Sequence, residues 1–270
     1  MDIIARKEIN NMNIQNERVF NFEGALRGMR NPMNSWERSD SIFGVIPKHK
    51  YETLVMGFIN TTYVEQELEV PELFAEKAIV NGYFSGDFYE YALIGPKDME
   101  LAKRLIKAGT EHRKFLRQIM VSVDITAPLY IWKEFDTYKI NVTSNSTSTM
   151  HKLATTPITL KCFEIGDFCE DLHVTNEAPL ADKTLCAFST EIINYLEKLR
   201  QKYLETKDVR YWKELIRWLP ESWLQTRTVT MNYENLRNIY HQRKGHKLSE
   251  WHEICHWIEL LPYAKEFIIN

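Results

Sequence analysis

IMVSVDITAPLYIWKEFD, residues 119–136, sets a strand directly before a short helix and decides the fold class. Apolar side chains alternate with small or polar ones over residues 119–125, and β-branched types are frequent there, which predicts a strand. Pro128 ends this strand and opens the short helix, because proline cannot donate to a sheet ladder but fits a first helical turn.

Further helices and strands are predicted on both sides of this stretch from the spacing of the apolar residues. The predicted helices cover residues 96–117, 189–206, 232–243 and 248–260, and a second strand covers residues 223–230. Residues 140–150 are so dense in Ser, Thr and Asn that a loop is predicted. Helices that interleave with a few strands favour an α/β fold in which helices cover a sheet.

Composition restricts the classes of function. The chain has 270 residues, 44% hydrophobic and 26% charged, and no Pro/Gly-rich linker divides it, so a single domain over 1–270 is expected. A formal net charge of −3 argues against binding to a nucleic-acid polymer. The chain lacks both a bilayer-length apolar run and a signal-peptide layout, so we expect a cytoplasmic protein without a membrane partner. The widely spaced cysteines are expected to be thiols: Cys162, Cys169, Cys186 and Cys255.

The motif HEICH, from His252 to His256, matches the H-E-x-x-H pattern of zinc hydrolases. On a helix the two histidines lie on one side, with Glu253 available as a general base. A catalytic zinc needs a third protein ligand, and neither Glu259 nor Glu266 has the spacing of the extended motif. We therefore expect half-exposed histidines on a closing helix, with a zinc hydrolase as a remote alternative.

Three polar segments fit either a nucleotide site or an ordinary solvated surface. Over residues 232–246, one helical side is predicted to pack inward and the other carries amides and Arg243, which suits an anion. The hydroxyl-rich residues 143–151 could present donors to phosphate oxygens. His112 precedes the first strand, where a lone histidine usually caps a helix. The packing side of the first segment is Leu236, Ile239 and Tyr240.

The order and spacing of these segments resemble the flavin-dependent thymidylate synthases. That family has a His ahead of a strand, then Ala-Pro, a helix ending in Gln-x-x-Arg-His-Arg, and a Ser-x-Asn-Glu-x-Ser-x-Arg-Tyr loop. Later come Leu-Pro, two Asn six residues apart, an Arg, a His and Ala-Gln-x-Glu-Ile. The matching positions are His112, Ala127-Pro128, residues 134–139, residues 143–151, Leu219-Pro220, Asn232, Asn238, Arg243, His246 and Glu253-Ile254, with a fainter match at residues 25–27.

This resemblance implies an α+β fold with a mostly antiparallel sheet covered by helices, assembled as a homotetramer. It implies FAD-dependent transfer of a one-carbon unit from methylenetetrahydrofolate to C5 of a pyrimidine deoxynucleotide monophosphate, with NADPH as the hydride source. The conversion of dUMP to dTMP is the family reaction. HEICH then lies on the helix that closes the family fold, so no metal is expected.

The resemblance also implies which residues meet each ligand. The nucleotide would contact Glu134, Ser146, Thr147, Ser148 and Arg243, with Arg243 as the catalytic residue. The residues expected to bind FAD are His112, Lys114, Arg117, Thr137, Tyr138, Lys139, Asn232, Asn238, Arg243 and His246.

Several positions depart from the family pattern. Residues 137–139, Thr-Tyr-Lys, replace Arg-His-Arg and leave one cation for a pyrophosphate, so Lys114 and Arg117 would have to compensate. Glu134 replaces Gln, and a carboxylate accepts a hydrogen bond from the cytosine amino group, which makes dCMP an alternative substrate. Ser146 replaces the loop Glu. These departures keep open a flavin- or nucleotide-binding homologue without turnover. In the first 95 residues, Arg30 and Asn31 are candidates for a substrate-facing loop.

Overall fold

The computed structural model describes residues 12–47, 49, 79–84, 88–164 and 185–270. The strands of this part of the chain are β1 (Asn13–Phe20), β2 (Ile42–Pro47), β3 (Ile79–Phe84), β4 (Phe88–Leu93), β5 (Met120–Pro128), β6 (Thr143–Ser146) and β7 (Leu224–Asn232). The helices are α1 (Phe22–Arg30), α2 (Pro96–Ala108), α3 (Leu129–Phe135), α4 (Thr149–Lys152), α5 (Leu185–Thr206), α6 (Val209–Arg217), α7 (Tyr233–Arg243) and α8 (Ser249–Glu259). Shorter 3₁₀ turns include Lys114–Arg117, and a π-helix covers Lys265–Ile269.

The strands form two sheets. One has the order β1-β5-β7-β6, and the other has the order β2-β4-β3. In the second sheet both pairings are antiparallel, with Ile42 opposite Leu93 and Ile79 opposite Ala92. The predicted combination of helices with mostly antiparallel strands is therefore confirmed.

Two compact units make up the chain, and we describe each one by itself. The first unit consists of Met1–Gln15, Asp124–Lys139 and Ser144–Thr228, and the second consists of Asn16–Val123, Ile140–Thr143 and Val229–Asn270. The expectation of a single domain over 1–270 stays a prediction. Within the described ranges, no helix is both long enough and apolar enough to cross a bilayer.

The core of the first unit lies where α5 packs against α6 and the chain after α4. Its fully or largely buried side chains are Leu153, Ile158, Phe163, Ile193, Leu196, Leu199 and Leu215. Arg200 and Glu197 form an ion pair on α5 that holds residues 154–158. Arg200 Nη1 donates to Ala154 O (3.2 Å), and Glu197 Oε2 accepts from Ile158 N (2.9 Å). The hydrogen bonds from Arg200 lower the pKa of Glu197 to about 2 despite its partial burial.

Aromatic side chains build the core of the second unit. Phe22 meets Tyr233 edge to face at a centroid distance of 5.7 Å, and Phe115 meets Phe267 in the same way at 5.8 Å. Such pairs add stabilisation beyond the apolar area that they bury. Through these contacts, α1 and the Lys114–Arg117 turn pack with α7 and the π-helix.

The strand and helix predicted over residues 119–136 are confirmed as β5 and α3. Along β5 the burial alternates, with Val121, Val123 and Ile125 inside. This alternation is the expected consequence of side chains that point to opposite faces of a strand. The helices predicted over 189–206, 232–243 and 248–260 and the strand over 223–230 are confirmed as α5, α7, α8 and β7.

Two predicted element types are wrong in part. The helix predicted to reach residue 117 ends at Ala108, because Gly109 has φ 109°, a conformation that favours glycine and leaves the helix. The loop predicted over 140–150 contains strand β6, which lies beside β7 at the edge of its sheet. The backbone of Thr147, just after β6, donates to Thr226 O of β7 (2.9 Å), so sheet pairing overrides the loop composition.

Arg30 lies at the end of α1 with its side chain buried in an ion pair and not on an exposed loop, which corrects the expectation from the sequence. Its side chain is buried, and Nε donates to Oδ1 of the buried Asp98 at the start of α2 (2.5 Å). The other carboxylate oxygen of Asp98 accepts from the hydroxyls of Ser39 and Ser41, both at 2.6 Å. A charge in this position is satisfied on both oxygens, as a buried carboxylate requires.

The pKa of Asp98 is set by opposing effects. Burial by itself raises it, but the hydrogen bonds from Ser39, Ser41 and Arg30 outweigh burial and hold the pKa below its usual value. The ionised Asp98 therefore stabilises the fold fully above its unfolded pKa of about 3.9. This contribution is lost as the pH falls through the lower pKa of the folded state.

Asp98→Asn should destabilise the protein strongly, because it leaves the buried Arg30 guanidinium without a counter-ion. We expect the free energy of unfolding to fall by about 3–5 kcal/mol, as is typical when one partner of a buried ion pair is removed. Urea denaturation followed by circular dichroism measures the change. Glu37→Gln is the matched control, since Glu37 is 69% exposed beside Arg38. An equal loss in both variants would contradict the role of burial.

Candidate functional site

The end of α3 carries one group of predicted site residues, all in the first unit. Thr137 closes this helix, since its N–H and its hydroxyl both donate to Glu134 O, at 3.1 and 2.7 Å. Glu134 and Tyr138 are half-buried, whereas Thr137 and Lys139 are exposed. The helix is anchored by Trp132, whose indole N–H donates to Gln225 O of β7 (2.8 Å). The end of α3 is thus fixed against β7, with polar groups at its surface.

Arg227 of β7 is a cation at this place that the motifs of the sequence did not reveal. Its Cζ lies 4.4 Å from the centre of the Trp132 ring, and its Nη1 donates to Asp136 Oδ1 (2.7 Å). Its side chain keeps 15% of its surface exposed. An arginine held by stacking and by one ion pair retains further N–H donors for an anion. Only the pairing of α3 with β7 reveals this position, because the two segments are distant in sequence.

The predicted hydroxyl loop reaches the same place through Gln225. The amide of this buried residue donates from Nε2 to Thr147 O (3.0 Å) and accepts at Oε1 from Arg227 Nε (3.0 Å). Ser146 and Thr147 are exposed beside it. Ser148 caps α4, because its Oγ accepts from His151 N (3.1 Å). The first unit therefore brings the end of α3, Arg227 and the loop at 146–148 together.

The turn that contains His112 belongs to the second unit. Gly109 O accepts from both His112 N (3.0 Å) and Arg113 N (3.1 Å), which defines the turn, and the His112 side chain is exposed. Lys114 is exposed, and its Nζ lies 3.3 Å from Oε2 of the exposed Glu111. Arg117 is half-buried at the end of the 3₁₀ turn. The turn thus exposes an imidazole and an ammonium group.

The start of α7 is built on two buried asparagines. Asn232 Oδ1 accepts from Asn235 N (3.0 Å), and Asn235 Oδ1 accepts from Asn232 N (3.2 Å), which forms a reciprocal cap. The Asn235 amide also donates to Ile140 O (2.7 Å). The sequence predicts that the amides of this helix lie on its polar side, but Asn232 and Asn235 are buried. Asn238 is exposed, and the predicted packing side is confirmed by the burial of Leu236, Ile239 and Tyr240.

At the other end of α7, the predicted site residues Arg243 and His246 both contact Trp251 of α8. The Cζ of Arg243 lies 4.7 Å from the centre of the Trp251 ring, and the His246 ring lies at 6.3 Å from it, edge to face. His246 Nδ1 accepts from Leu248 N (3.2 Å), which fixes the orientation of the ring. Trp251 is fully buried and provides a fixed surface for both side chains.

A groove of about 530 Å³ lies between the end of α7 and α8 and includes both histidines of HEICH. His252 Nε2 is 2.7 Å from His246 O, and His256 Nδ1 is 3.7 Å from Glu259 Oε2. Among the residues that the structure describes, no three His, Cys, Asp or Glu side chains are arranged to hold a metal ion. The two histidines of HEICH therefore have no third metal ligand beside them among the described residues.

The other ionisable groups of the groove are poor nucleophiles. Burial raises the pKa of the Cys255 thiol to about 11, so the thiol stays protonated at neutral pH. A hydrogen bond to Glu259 raises the pKa of Tyr240 to about 12. Cys162 and Cys255 are free thiols, as expected, while Cys169 and the Cys186 side chain lie outside the described residues.

Comparison with known proteins identifies the fold. No protein-family model and no curated protein matches the sequence. Flavin dependent thymidylate synthase ThyX from Helicobacter pylori, solved with FAD and dUMP, aligns with a TM-score of 0.55 at 15% identity, over 94% of this chain and 97% of that one. A second structure of that protein with FAD and dUMP gives 0.54 at 15% identity, over 96% and 97%. This chain therefore has the ThyX fold, as the resemblance of its motifs predicted.

A further solved structure aligns with a lower score. The UMP/dUMP methylase PolB from Streptomyces cacaoi, bound with 5-Br UMP, aligns with a TM-score of 0.47 at 12% identity, over 85% of this chain and 94% of that one.

Asn232→Ala should destabilise α7, because it removes the acceptor for the Asn235 N–H at a buried helix start. We expect the free energy of unfolding to fall by about 1–2 kcal/mol, within the range measured for lost N-caps. Asn232→Ser keeps a capping hydroxyl and should recover most of this loss. Thermal denaturation of the two variants measures the difference, and equal losses would contradict the capping role.

Proposed function

We propose that the protein binds FAD and a pyrimidine deoxynucleotide monophosphate and transfers a one-carbon unit from methylenetetrahydrofolate to C5 of the base. The observation that carries this proposal is a likeness of fold over 94% of the chain to a protein solved with FAD and dUMP. The order of the sequence motifs from His112 to Glu253 also supports the proposal, and this order does not depend on the fold comparison. In this proposal the protein is a cytoplasmic homotetramer, and NADPH supplies the hydride.

The cluster in the first unit suits the nucleotide. A nucleoside monophosphate presents a dianionic phosphate, and Arg227 offers a guanidinium that is already oriented by Trp132 and Asp136. The exposed hydroxyls of Ser146 and Thr147 can donate to phosphate oxygens in the same region. Ser148 would also bind the nucleotide, although its hydroxyl oxygen already accepts the N–H of His151 as the cap of α4. The half-buried Glu134 would face the base.

The residues expected to bind FAD carry donors that fit a pyrophosphate. In the second unit His112, Lys114 and Asn238 are exposed, Arg117 is half-buried, and Arg243 is held on Trp251. Lys114 and Arg117 would supply the cations that the family motif Arg-His-Arg provides. Asn232 would act by positioning α7, since its carbonyl oxygen is occupied by the cap. His246 would bind the same ligand from its place beside Trp251. When bound, FAD supplies hydride transfer to the one-carbon unit.

The protein itself would supply orientation and charge. Arg243 would stabilise negative charge that develops on the base during the reaction, and its stacking on Trp251 fixes its direction beforehand. The second candidate function is binding without turnover, which the single cation at Lys139 favours.

Purified protein should be yellow and should bleach when NADPH is added. With C5-tritiated nucleotide and methylenetetrahydrofolate, we expect release of tritium, and Arg243→Gln should lower kcat by roughly 100-fold, the loss typical of a removed charge-stabilising donor. Lys202→Gln is the control, since Lys202 is 58% exposed on α5 in the first unit. Flavin colour without tritium release would favour the binding protein, and a colourless protein that takes up no FAD would overturn the proposal.

Glu134 should decide which base is bound. A carboxylate accepts from the cytosine amino group and repels uracil O4, so we expect tighter binding of dCMP than of dUMP. Glu134→Gln should remove the preference, because an amide can donate to uracil O4 as well as accept from the cytosine amino group. Calorimetric titration of both nucleotides into both proteins measures this. A preference of the unaltered protein for dUMP would exclude dCMP as its substrate.

A further inference from the structure

A buried ion pair joins the His112 turn to the first turn of α7. Arg113 Nε lies 3.1 Å from Glu234 Oε1 and 3.0 Å from Oε2, and Nη2 donates to Oε1 at 3.1 Å. The two side chains are only 16% and 8% exposed. They stand 121 residues apart in the sequence, so the pair connects two segments that are not neighbours along the chain. The forked geometry fixes direction as well as distance.

At one end of this bridge is the residue after His112. The backbone N–H of Arg113 donates to Gly109 O (3.1 Å), and its Nη2 lies 3.4 Å from Thr110 Oγ1. Arg113 therefore takes part in the turn through both its backbone and its side chain. The exposed imidazole of His112 is carried on this turn, next to the buried arginine.

At the other end is the start of α7. Glu234 lies between the two asparagines of the cap, Asn232 and Asn235. Next to it, Tyr233 N donates to Ile119 O (3.0 Å), and α7 packs on the Lys114–Arg117 turn. A carboxylate in the first turn is also favoured by the positive end of the helix dipole.

We propose that the Arg113–Glu234 pair is the positioning device that holds the His112 turn against the start of α7, so that residues from both segments bind one ligand. The inference rests on the proposed function, because FAD is the ligand that these segments are expected to share. Neither Arg113 nor Glu234 needs to touch FAD. Their effect is to reduce the freedom that would otherwise be lost on binding.

Because Arg237 also lies near Glu234, removal of Glu234 and removal of Arg113 should have unequal effects. Arg237, one turn further along α7, donates from Nη1 to Ile268 O (2.7 Å) and Asn270 O (2.6 Å). Burial, followed by the nearby Arg113, lowers the pKa of Arg237, and Glu234 acts in the opposite direction. Removing Glu234 leaves two partly buried guanidinium groups that repel each other. Removing Arg113 leaves Glu234 with Arg237, so we expect the smaller effect.

Hydrogen exchange and FAD titration test this device in the full-length protein. In Glu234→Gln, we expect amides of residues 110–117 and 233–236 to exchange faster together, by about tenfold, which corresponds to about 1.4 kcal/mol of opening free energy. FAD affinity, measured by flavin fluorescence, should weaken by about the same factor. Arg113→Gln should show the same pattern with smaller changes. In the double variant Arg113→Gln/Glu234→Gln, the change in both quantities should be clearly smaller than the sum of the two single changes, because the same ion pair can be lost only once.

Glu197→Gln is the matched control, because it breaks a partly buried pair with Arg200 in the first unit by the same chemical change. It should speed exchange in α5 and leave residues 110–117 and FAD affinity unchanged. If Glu234→Gln does not fold, the milder Arg113→Lys tests the same coupling with the charge retained. Exchange at residues 110–113 that is unaltered in the Glu234 or Arg113 variants would overturn the inference. Failure of the unaltered protein to bind FAD would overturn the proposed function, while the exchange data still decide whether the pair couples the two segments.

Discussion

A helix that begins inside a protein must satisfy its own first N–H groups, and the start of α7 meets this requirement with side chains of its own sequence. Asn232 is at once the last residue of β7 and the cap of α7, so strand and helix follow each other without a loop. The direction of α7 is thereby fixed. The positions of Arg243 on Trp251, of Arg237 on the C-terminal carbonyls and of Glu234 at Arg113 all depend on this junction.

The first unit solves a comparable problem with a single amide. Gln225 is buried and must satisfy both a donor and an acceptor, and it does so by bonding the Thr147 carbonyl and the Arg227 guanidinium. Arg227 is in turn held by Trp132 and Asp136. Polar groups that were needed to complete the packing of β7 therefore also arrange a cation next to an exposed hydroxyl loop. A guanidinium is thus held in a fixed direction beside exposed hydroxyl groups.

The predictions from the sequence succeeded where the signal was periodic. Burial alternates along β5 at Val121, Val123 and Ile125 because strand geometry forces alternation, and α7 buries Leu236 and Ile239 because a helix brings these positions to one face. They failed where tertiary contacts prevailed. The polar residues 143–146 became a strand because β7 offered them hydrogen bonds, and Asn232 and Asn235 were buried because the helix start needed a cap.

The sequence by itself determined the types of the main elements and, through the order of its motifs, the ThyX fold, because hydrophobic period, helix caps and motif spacing are local properties of the chain. Only the tertiary structure decided which charges meet. Arg30 pairs with Asp98 across 68 residues, and Arg113 pairs with Glu234 across 121. No local pattern encodes such pairs, since their distance depends on the path of the whole chain between them. For the same reason the sequence did not reveal Arg227, whose neighbours Trp132 and Asp136 belong to α3 and the residue that follows it.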